Sequence, residues 1–378
     1  MKKVLVTGGM GFIGSHYIKT LLSESQTNIN ILDNISPQIH GDFFEAPSFI
    51  DNSRVNFFEG SVTDKEIVRN ALQGVDTLIH LAAETGTGQS MYEITTYNHV
   101  NSHGTAVLLE EIQKNYKQNI ARIILASSRS VYGEGSYLCS NSGEYINPDP
   151  RSFKSLSNKE WDYYCHKCKN KLLFQPTSER TECKPASIYA VTKKNQEDLV
   201  STFCAANDID YSILRFQNVY GEGQSLKNPY TGILSIFSNR LRNGDQIPIF
   251  EDGNMTRDFV HVSDVVNALL LSTFHDDSIS SIMNVGSGIA TPIKDVAELL
   301  RAEFKSLSKI IVTEQFRVGD IRNNYAELSL ISKVLGYEPK VKLEDGIKLF
   351  SEWVMQQEIE EDKLDLVNAE LKSKNLMG

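Results

Sequence analysis

Nowhere in its 378 residues does the chain approach the roughly twenty consecutive apolar residues needed to cross a bilayer. Met1-Lys2-Lys3 precedes only three apolar residues before Thr7-Gly8, too few for the core of a secretion signal, so a cytoplasmic location and no membrane partner are expected. Positive charge is in short supply as well. With 38 Lys and Arg against 48 Asp and Glu, the formal net charge is −10, which argues against a nucleic-acid partner. Cysteine is scarce and odd in number, five in all, so a complete disulfide framework is not expected in a reducing compartment. Internal repeats and low-complexity tracts are absent. What remains is an ordinary globular composition, long enough for one large domain or two moderate ones.

The first fifteen residues organise the rest. Val4-Leu5-Val6 reads as a buried parallel strand that breaks into Thr7-Gly8-Gly9-Met10-Gly11-Phe12-Ile13-Gly14, and a helix is expected from about Phe12 to Leu22. Gly8 permits the tight turn, Gly11 lets the backbone approach a pyrophosphate, and Gly14 allows close packing of helix on strand. Phe12 and Ile13 open a helix whose N-terminus offers free N–H groups to phosphate. A second apolar run, Ile29 to Leu32, ends in Asp33, nineteen residues after Gly14. A carboxylate there accepts hydrogen bonds from a ribose diol and repels a 2′-phosphate, which favours NAD over NADP.

Further strands are expected at Arg54 to Phe58, Thr77 to Leu81 and Ile123 to Ala126, alternating with helices over Lys65 to Leu72, with Asp64 as N-cap, and about Tyr92 to Tyr116. That alternation predicts an α/β fold with a doubly wound parallel sheet of Rossmann type. The last of these strands leads into Ser127-Ser128-Arg129, and Tyr189-Ala190-Val191-Thr192-Lys193 opens a helix running to about Ala206. The four-residue spacing places phenol and ammonium on one face. A lysine beside a tyrosine favours phenolate, a usable base near neutral pH.

This set of motifs resembles the extended short-chain dehydrogenases/reductases of the nucleotide-sugar epimerase/dehydratase family, nearly end to end. The resemblance implies that Ser128, Tyr189 and Lys193 form the catalytic triad. It implies further cofactor contacts at Asn34, Ser61, Val62, Leu81, Ala82, Ala83, Asn101, Ser127 and Phe216. It implies that a nucleotide-diphosphate sugar is held by Thr87, Ser128, Arg129, Asn218, Arg257, Arg317 and Asp320. Bidentate pairing with phosphate is the reason such sites use arginine. It also implies a homodimer joined through the two long helices, and an α+β substrate domain over about 216–355 following a cofactor domain over 1–215, with some segments returning to the first domain. The charged stretch 356–378 reads as a solvated or docking helix without a catalytic role, its apolar side formed by Ile359, Leu366, Val367 and Leu371.

Two departures from the family pattern carry information. Family dehydratases place an acidic pair directly after the triad hydroxyl residue; here those positions hold Arg129 and Ser130, which disfavours elimination of water and leaves epimerisation at sugar carbon four. Ser61 stands where relatives often have an Asp that contacts adenine. The rival readings are a nucleotide-sugar dehydratase or reductase, and a non-catalytic NAD-binding regulatory protein. An intact triad argues against the regulator, and Asp33 against an NADP-dependent reductase.

Sixty-one positions separate Ser128 from Tyr189, an unusually long interval, and the extra segment at about 134–184 holds Cys139, Cys165, Cys168 and Cys183. Cys165-His166-Lys167-Cys168 has the knuckle spacing of a structural zinc site, so zinc on four thiolates is one reading; a redox pair is another, and His166 rivals the fourth thiolate. This insertion, with Glu84 to Tyr92 and Ser36 to Gly41, resembles the dTDP-L-rhamnose 4-epimerase-like branch. Relatives there often carry Cys-x-x-His-Gly, where this chain has Cys139-Ser140-Asn141-Ser142-Gly143. Cys204, by contrast, reads as a core residue.

Overall fold

A computed structural model describes residues 2–41, 44–228, 230 and 232–378. Seven parallel strands form the central sheet: β1 (Lys3–Thr7), β2 (Asn28–Asp33), β3 (Val55–Glu59), β4 (Thr77–His80), β5 (Arg122–Ser128), β6 (Asp210–Phe216) and β7 (Ser280–Val285). Their order is β7-β6-β5-β4-β1-β2-β3. The chain moves outward from β1 to β3, then returns to lay β4 on the other side of β1. The carboxyl ends of β1 and β4 therefore splay apart at a topological switch point, where ligands bind in open α/β sheets.

Strand alternation explains why both faces are covered. Val4 and Val6 point into a cluster with Tyr17, Ile18 and Leu21 of the helix Phe12–Glu24 and with Val265 and Leu269 of the helix Val262–Phe274. Leu5 points the other way, into Val68, Val107 and Leu108. Burial on both faces is what makes these strands read as continuous apolar runs. Asp64 caps the helix Lys65–Ala71, accepting from the Glu66 and Ile67 N–H groups, as its sequence suggests. Cys204 is fully buried in the core.

The helix expected over 92–116 spans 94–116 and is not uniform. Two π-helical segments, Asn98–His103 and Ile112–Tyr116, interrupt it, and the first carries Asn101. Such wider turns concentrate at functional sites. A separate apolar cluster, built on Tyr220, Phe237, Ile247, Leu300 and Phe350, gathers the helices Ile233–Asn243, Ile293–Glu303 and Leu343–Met355 away from the sheet. The cysteine-bearing insertion forms its own three-stranded antiparallel sheet from Ser136–Leu138, Tyr145–Ile146 and Leu173–Gln175. Among the described residues no helix is long and apolar enough to cross a membrane.

The C-terminal stretch differs from expectation. Its helix is Leu364–Ser373, and its buried side is Leu364, Val367 and Leu371, joined by Met377. Ile359 and Leu366, expected on that side, are 59% and 66% exposed. The spacing 364, 367, 371 is the helical i, i+3, i+7 stripe, and Leu366 falls off it.

Candidate functional site

A cleft of about 780 Å³ opens at the switch point. Gly8, Gly11, Phe12, Ile13 and Gly14 form one wall. A Cβ at Gly8 would lie 2.7 Å from the Ala82 nitrogen, and one at Gly14 would lie 2.4 Å from the Gly8 carbonyl oxygen. Both clashes are with backbone, so the turn accepts only glycine and keeps the surface thin enough for a diphosphate to rest on it. At the end of β2, Asp33 accepts from the Met10 and Ile35 N–H groups, at 3.0 Å each, which fixes its carboxylate while leaving lone pairs for a ribose diol. Asn34, Ser61, Val62, Leu81, Ala82 and Ala83 also line the cleft. This glycine cradle and its carboxylate fit NAD.

Across the cleft, β5 delivers Ser128 and the helix Ile188–Asn207 delivers Tyr189. Ser187 caps that helix, accepting from the Ala190 N–H at 3.2 Å. Tyr189 and Ser128 both line the cleft, close enough for the Ser128 hydroxyl to favour the phenolate. Burial pushes its proton affinity up, opposed by Ser128 and by the Arg129 guanidinium. This corrects the expectation that Lys193 supplies the opposing charge. The Lys193 ammonium instead donates to the Ala126 carbonyl at 2.9 Å, beneath the cleft wall, and burial lowers it to about 7.

The sign of the pH effect follows. Folded, Lys193 releases its proton near 7; unfolded, it keeps it to about 10.4. Between those values the unfolded state binds more protons, so this group's desolvation penalty is relieved as pH rises. Stability of the NAD-free protein should therefore climb more steeply with pH from 7 to 10 than that of Lys193→Met. Parallel denaturation curves across that range would refute the assignment.

The sugar end of the cleft is lined by Thr87, Arg129, Asn218, Arg257, Arg317 and Asp320. Arg257 is buried and held from behind, donating to the carbonyls of Thr256, Arg322 and Ile321. Burial and the nearby Arg257 lower Arg129 to about 9. Two guanidinium groups this close on one wall suit an anion bearing more than one charge. Among the described residues, Asn218 Oδ1, Arg317 Nε and both side-chain amide atoms of Gln217 are buried without a hydrogen-bond partner. Gln217, inside the Leu214-to-Gly221 stretch that resembles the family's strand-six segment but given no role by it, and Phe250, which belongs to no motif, also line the cleft.

Three expected cofactor residues lie behind the wall. Asn101 is fully buried, with its amide committed to Glu84 and Thr192, which ties the loop after β4 to the catalytic helix. Ser127 donates to Glu197 on the helix side of β5. Phe216 is packed in the sheet core. For Ser127, alternation along the strand decides the matter, since the neighbours of a cleft residue point to the opposite face; Phe216 shares the face of Ser128, its register partner, and is taken up by core packing.

The cysteines divide three to one. The sulfurs of Cys139, Cys165 and Cys168 lie within 4.8 Å of one another, and Cys139 and Cys168 are 3.5 Å apart. Cys183 is not among them. It is corrected to a partner of Arg215, whose Nη2 is 3.4 Å from its sulfur. His166 is exposed and also lies outside the cluster. Ser142, close by, instead lowers the Cys139 thiol to about 6.

Comparison with known proteins agrees with this geometry. Residues 4–286 match the model of the NAD dependent epimerase/dehydratase family. The chain is 37% identical over 358 residues to a dTDP-L-rhamnose 4-epimerase of Burkholderia thailandensis, covering 94% of this chain and 96% of the relative. Among solved structures, a UDP-glucose 4-epimerase of Thermotoga maritima with UDP-glucose superposes with a TM-score of 0.75 at 27% identity, covering 94% and 99% of the two chains. A UDP-glucuronic acid 4-epimerase of Bacillus cereus, with UDP-glucuronic acid and NAD, gives 0.76 at 25% identity and the same coverage.

Proposed function

The chain belongs to the NAD-dependent epimerase/dehydratase family and is a nucleotide-sugar 4-epimerase, and from that premise we propose its residue roles, its substrate and its metal. Bound NAD would supply the redox partner for sugar carbon four. Tyr189 removes and returns the proton of the sugar 4-hydroxyl, and Ser128, lining the same cleft, donates to that oxygen. Lys193 holds the nicotinamide ribose from beneath. Arg257 and Arg317 clamp the diphosphate, with Arg129, Asn218, Thr87 and Asp320 around the sugar. The observation that carries the reading is that Ser128 and Tyr189 share one cleft with Arg129, Arg257 and Arg317, with no acidic pair directly after Ser128. That absence favours epimerisation over the dehydratase reaction, and Asp33 favours it over an NADP-dependent reductase.

The substrate we favour is a dTDP-linked 6-deoxyhexose used in surface-polysaccharide synthesis, on the likeness to the Burkholderia relative. Incubation with a panel of dTDP- and UDP-sugars, without added NAD, tests both levels. An isomer of unchanged mass supports epimerisation, and preference for the dTDP-6-deoxyhexose supports the substrate. Loss of water, or turnover only with added NADPH, would overturn the assignment. The division into a cofactor part over 1–215 and a mainly substrate part over 216–355, the cytoplasmic location and a homodimer through the helical stretches 94–116 and 188–207 belong to the same reading. A monomeric mass in solution would remove the dimer from it.

For the insertion we propose a structural zinc on Cys139, Cys165 and Cys168. Three converging sulfurs supply three tetrahedral corners, and the small apolar cluster around them, Tyr137 and Leu172, is too slight to order the segment alone. Protein purified without chelator should carry about one zinc per chain, lost in Cys165→Ser. Metal analysis finding none would end the proposal.

A further inference from the structure

The C-terminal segment reaches the substrate cleft. Leu364 lines it. Beyond the helix Leu364–Ser373 the chain turns back and pairs with the segment that carries Arg317. The Phe316 N–H donates to the Gly378 carbonyl at 2.8 Å, the Gly378 N–H returns to Phe316 at 3.1 Å, and the Val318 N–H donates to Leu376 at 2.9 Å. Met377 thereby sits opposite Arg317 in an antiparallel bridge. On the helix itself, Asn368 Oδ1 accepts from Arg317 Nη2 at 2.6 Å. The guanidinium carbon lies 4.8 Å from the centre of the Phe250 ring. Nε of Arg317, buried, has no hydrogen-bond partner among the described residues.

The segment is anchored on both sides of the cleft. Arg240 pairs with Asp362 at 2.6 Å, just before the helix begins. Glu370 accepts from the phenols of Tyr92 and Tyr230, at 3.1 and 3.2 Å. Tyr92 follows β4, whereas Tyr230 belongs to the later half of the chain, so one carboxylate joins the two sides.

We propose that residues 364–378 form a strap that completes the substrate site, with Asn368 as the residue that positions Arg317 for a nucleoside diphosphate. This rests on the epimerase reading above. The chemistry is specific. A neutral amide oxygen orients a guanidinium through one N–H while leaving its positive charge uncompensated, and the aromatic face of Phe250 fixes its plane. The remaining donors are left for the diphosphate oxygens. A carboxylate in place of Asn368 would compete with the ligand for that charge.

The test is Asn368→Leu and Asn368→Asp in the full-length holoenzyme, using the sugar nucleotide that the wild type epimerises. Wild-type turnover establishes the epimerase reading by itself, so the variants then report on the strap alone. Asn368→Leu should raise KM about tenfold, with kcat within about twofold of wild type. Bound NAD and the thermal midpoint without substrate should be unchanged. Asn368→Asp should raise KM at least as much, and the thermal shift produced by free dTDP or UDP should shrink in both variants. An unchanged KM and nucleotide shift would overturn the proposal. So would a parallel fall of kcat, NAD content and thermal midpoint, the mark of a structural role. Should truncation after residue 362 give a folded NAD-bound protein, it must lose the nucleotide shift too; full retention would equally refute the strap.

Discussion

Tyr189→Phe is expected to lower epimerisation about a thousandfold while leaving bound NAD and thermal stability close to wild type. General acid–base groups contribute on the order of 10²–10⁴ in rate, and Tyr189 is the ionisable group that lines the cleft with Ser128. The substitution removes one oxygen and leaves the ring, whose centroid stands 6.4 Å from that of Tyr97 in an edge-on contact, so packing survives. Ser128→Ala should cost less, because it removes the hydroxyl that steadies the reacting oxygen rather than the group that takes its proton. Assay with the best substrate of the panel, together with spectroscopic quantification of released cofactor, separates chemistry from cofactor loss. Turnover of Tyr189→Phe at the wild-type rate would place the base elsewhere.

The roles that could be read from the sequence are those fixed by local backbone chemistry. Gly8 and Gly14 announce themselves because no side chain fits where their Cβ atoms would fall, and Asp33 because it ends a strand at a set distance from them. Alternation of strand and helix told the sheet type for the same reason, since each element carries its own period. Arg257 and Arg317 were legible only through their motifs, yet both reach the cleft.

The misreadings share a different cause. Asn101 and Ser127 lie beside residues that line the cleft, and nearness in sequence does not say which face a side chain takes, whereas Phe216 has the face of Ser128 but is taken up by the core. Cys183 was grouped by residue type with three cysteines, but the chain between them leads it to Arg215. The tail is the extreme case. Its contact with Arg317 spans 51 residues and depends on where two distant segments meet, so amphipathic spacing alone could suggest docking without locating it.

Arg215→Ala should produce the largest loss of stability, about 3–5 kcal/mol in chemical denaturation, the usual result of stranding a buried charge. Arg215 and Glu197 are 3% and 1% exposed and meet in a two-pronged pair, Nε to Oε1 at 2.8 Å and Nη2 to Oε2 at 2.7 Å. The guanidinium also rests on the Tyr132 ring, 4.6 Å from its centre. Alanine leaves the buried Glu197 carboxylate with the Ser127 hydroxyl as its remaining side-chain hydrogen bond. The double variant Arg215→Met/Glu197→Leu should recover most of the loss, because two apolar side chains of similar volume remove the unmatched charge along with its partner. If both variants were equally destabilised, packing on Tyr132 rather than charge would be the dominant contribution. The consequence extends to the active site, since Glu197 lies one helical turn from Lys193 and its charge favours the protonated amine. An unpaired Glu197 should therefore raise the Lys193 pKa above about 7, and the pH dependence of the stability of NAD-free Arg215→Ala should move upward with it.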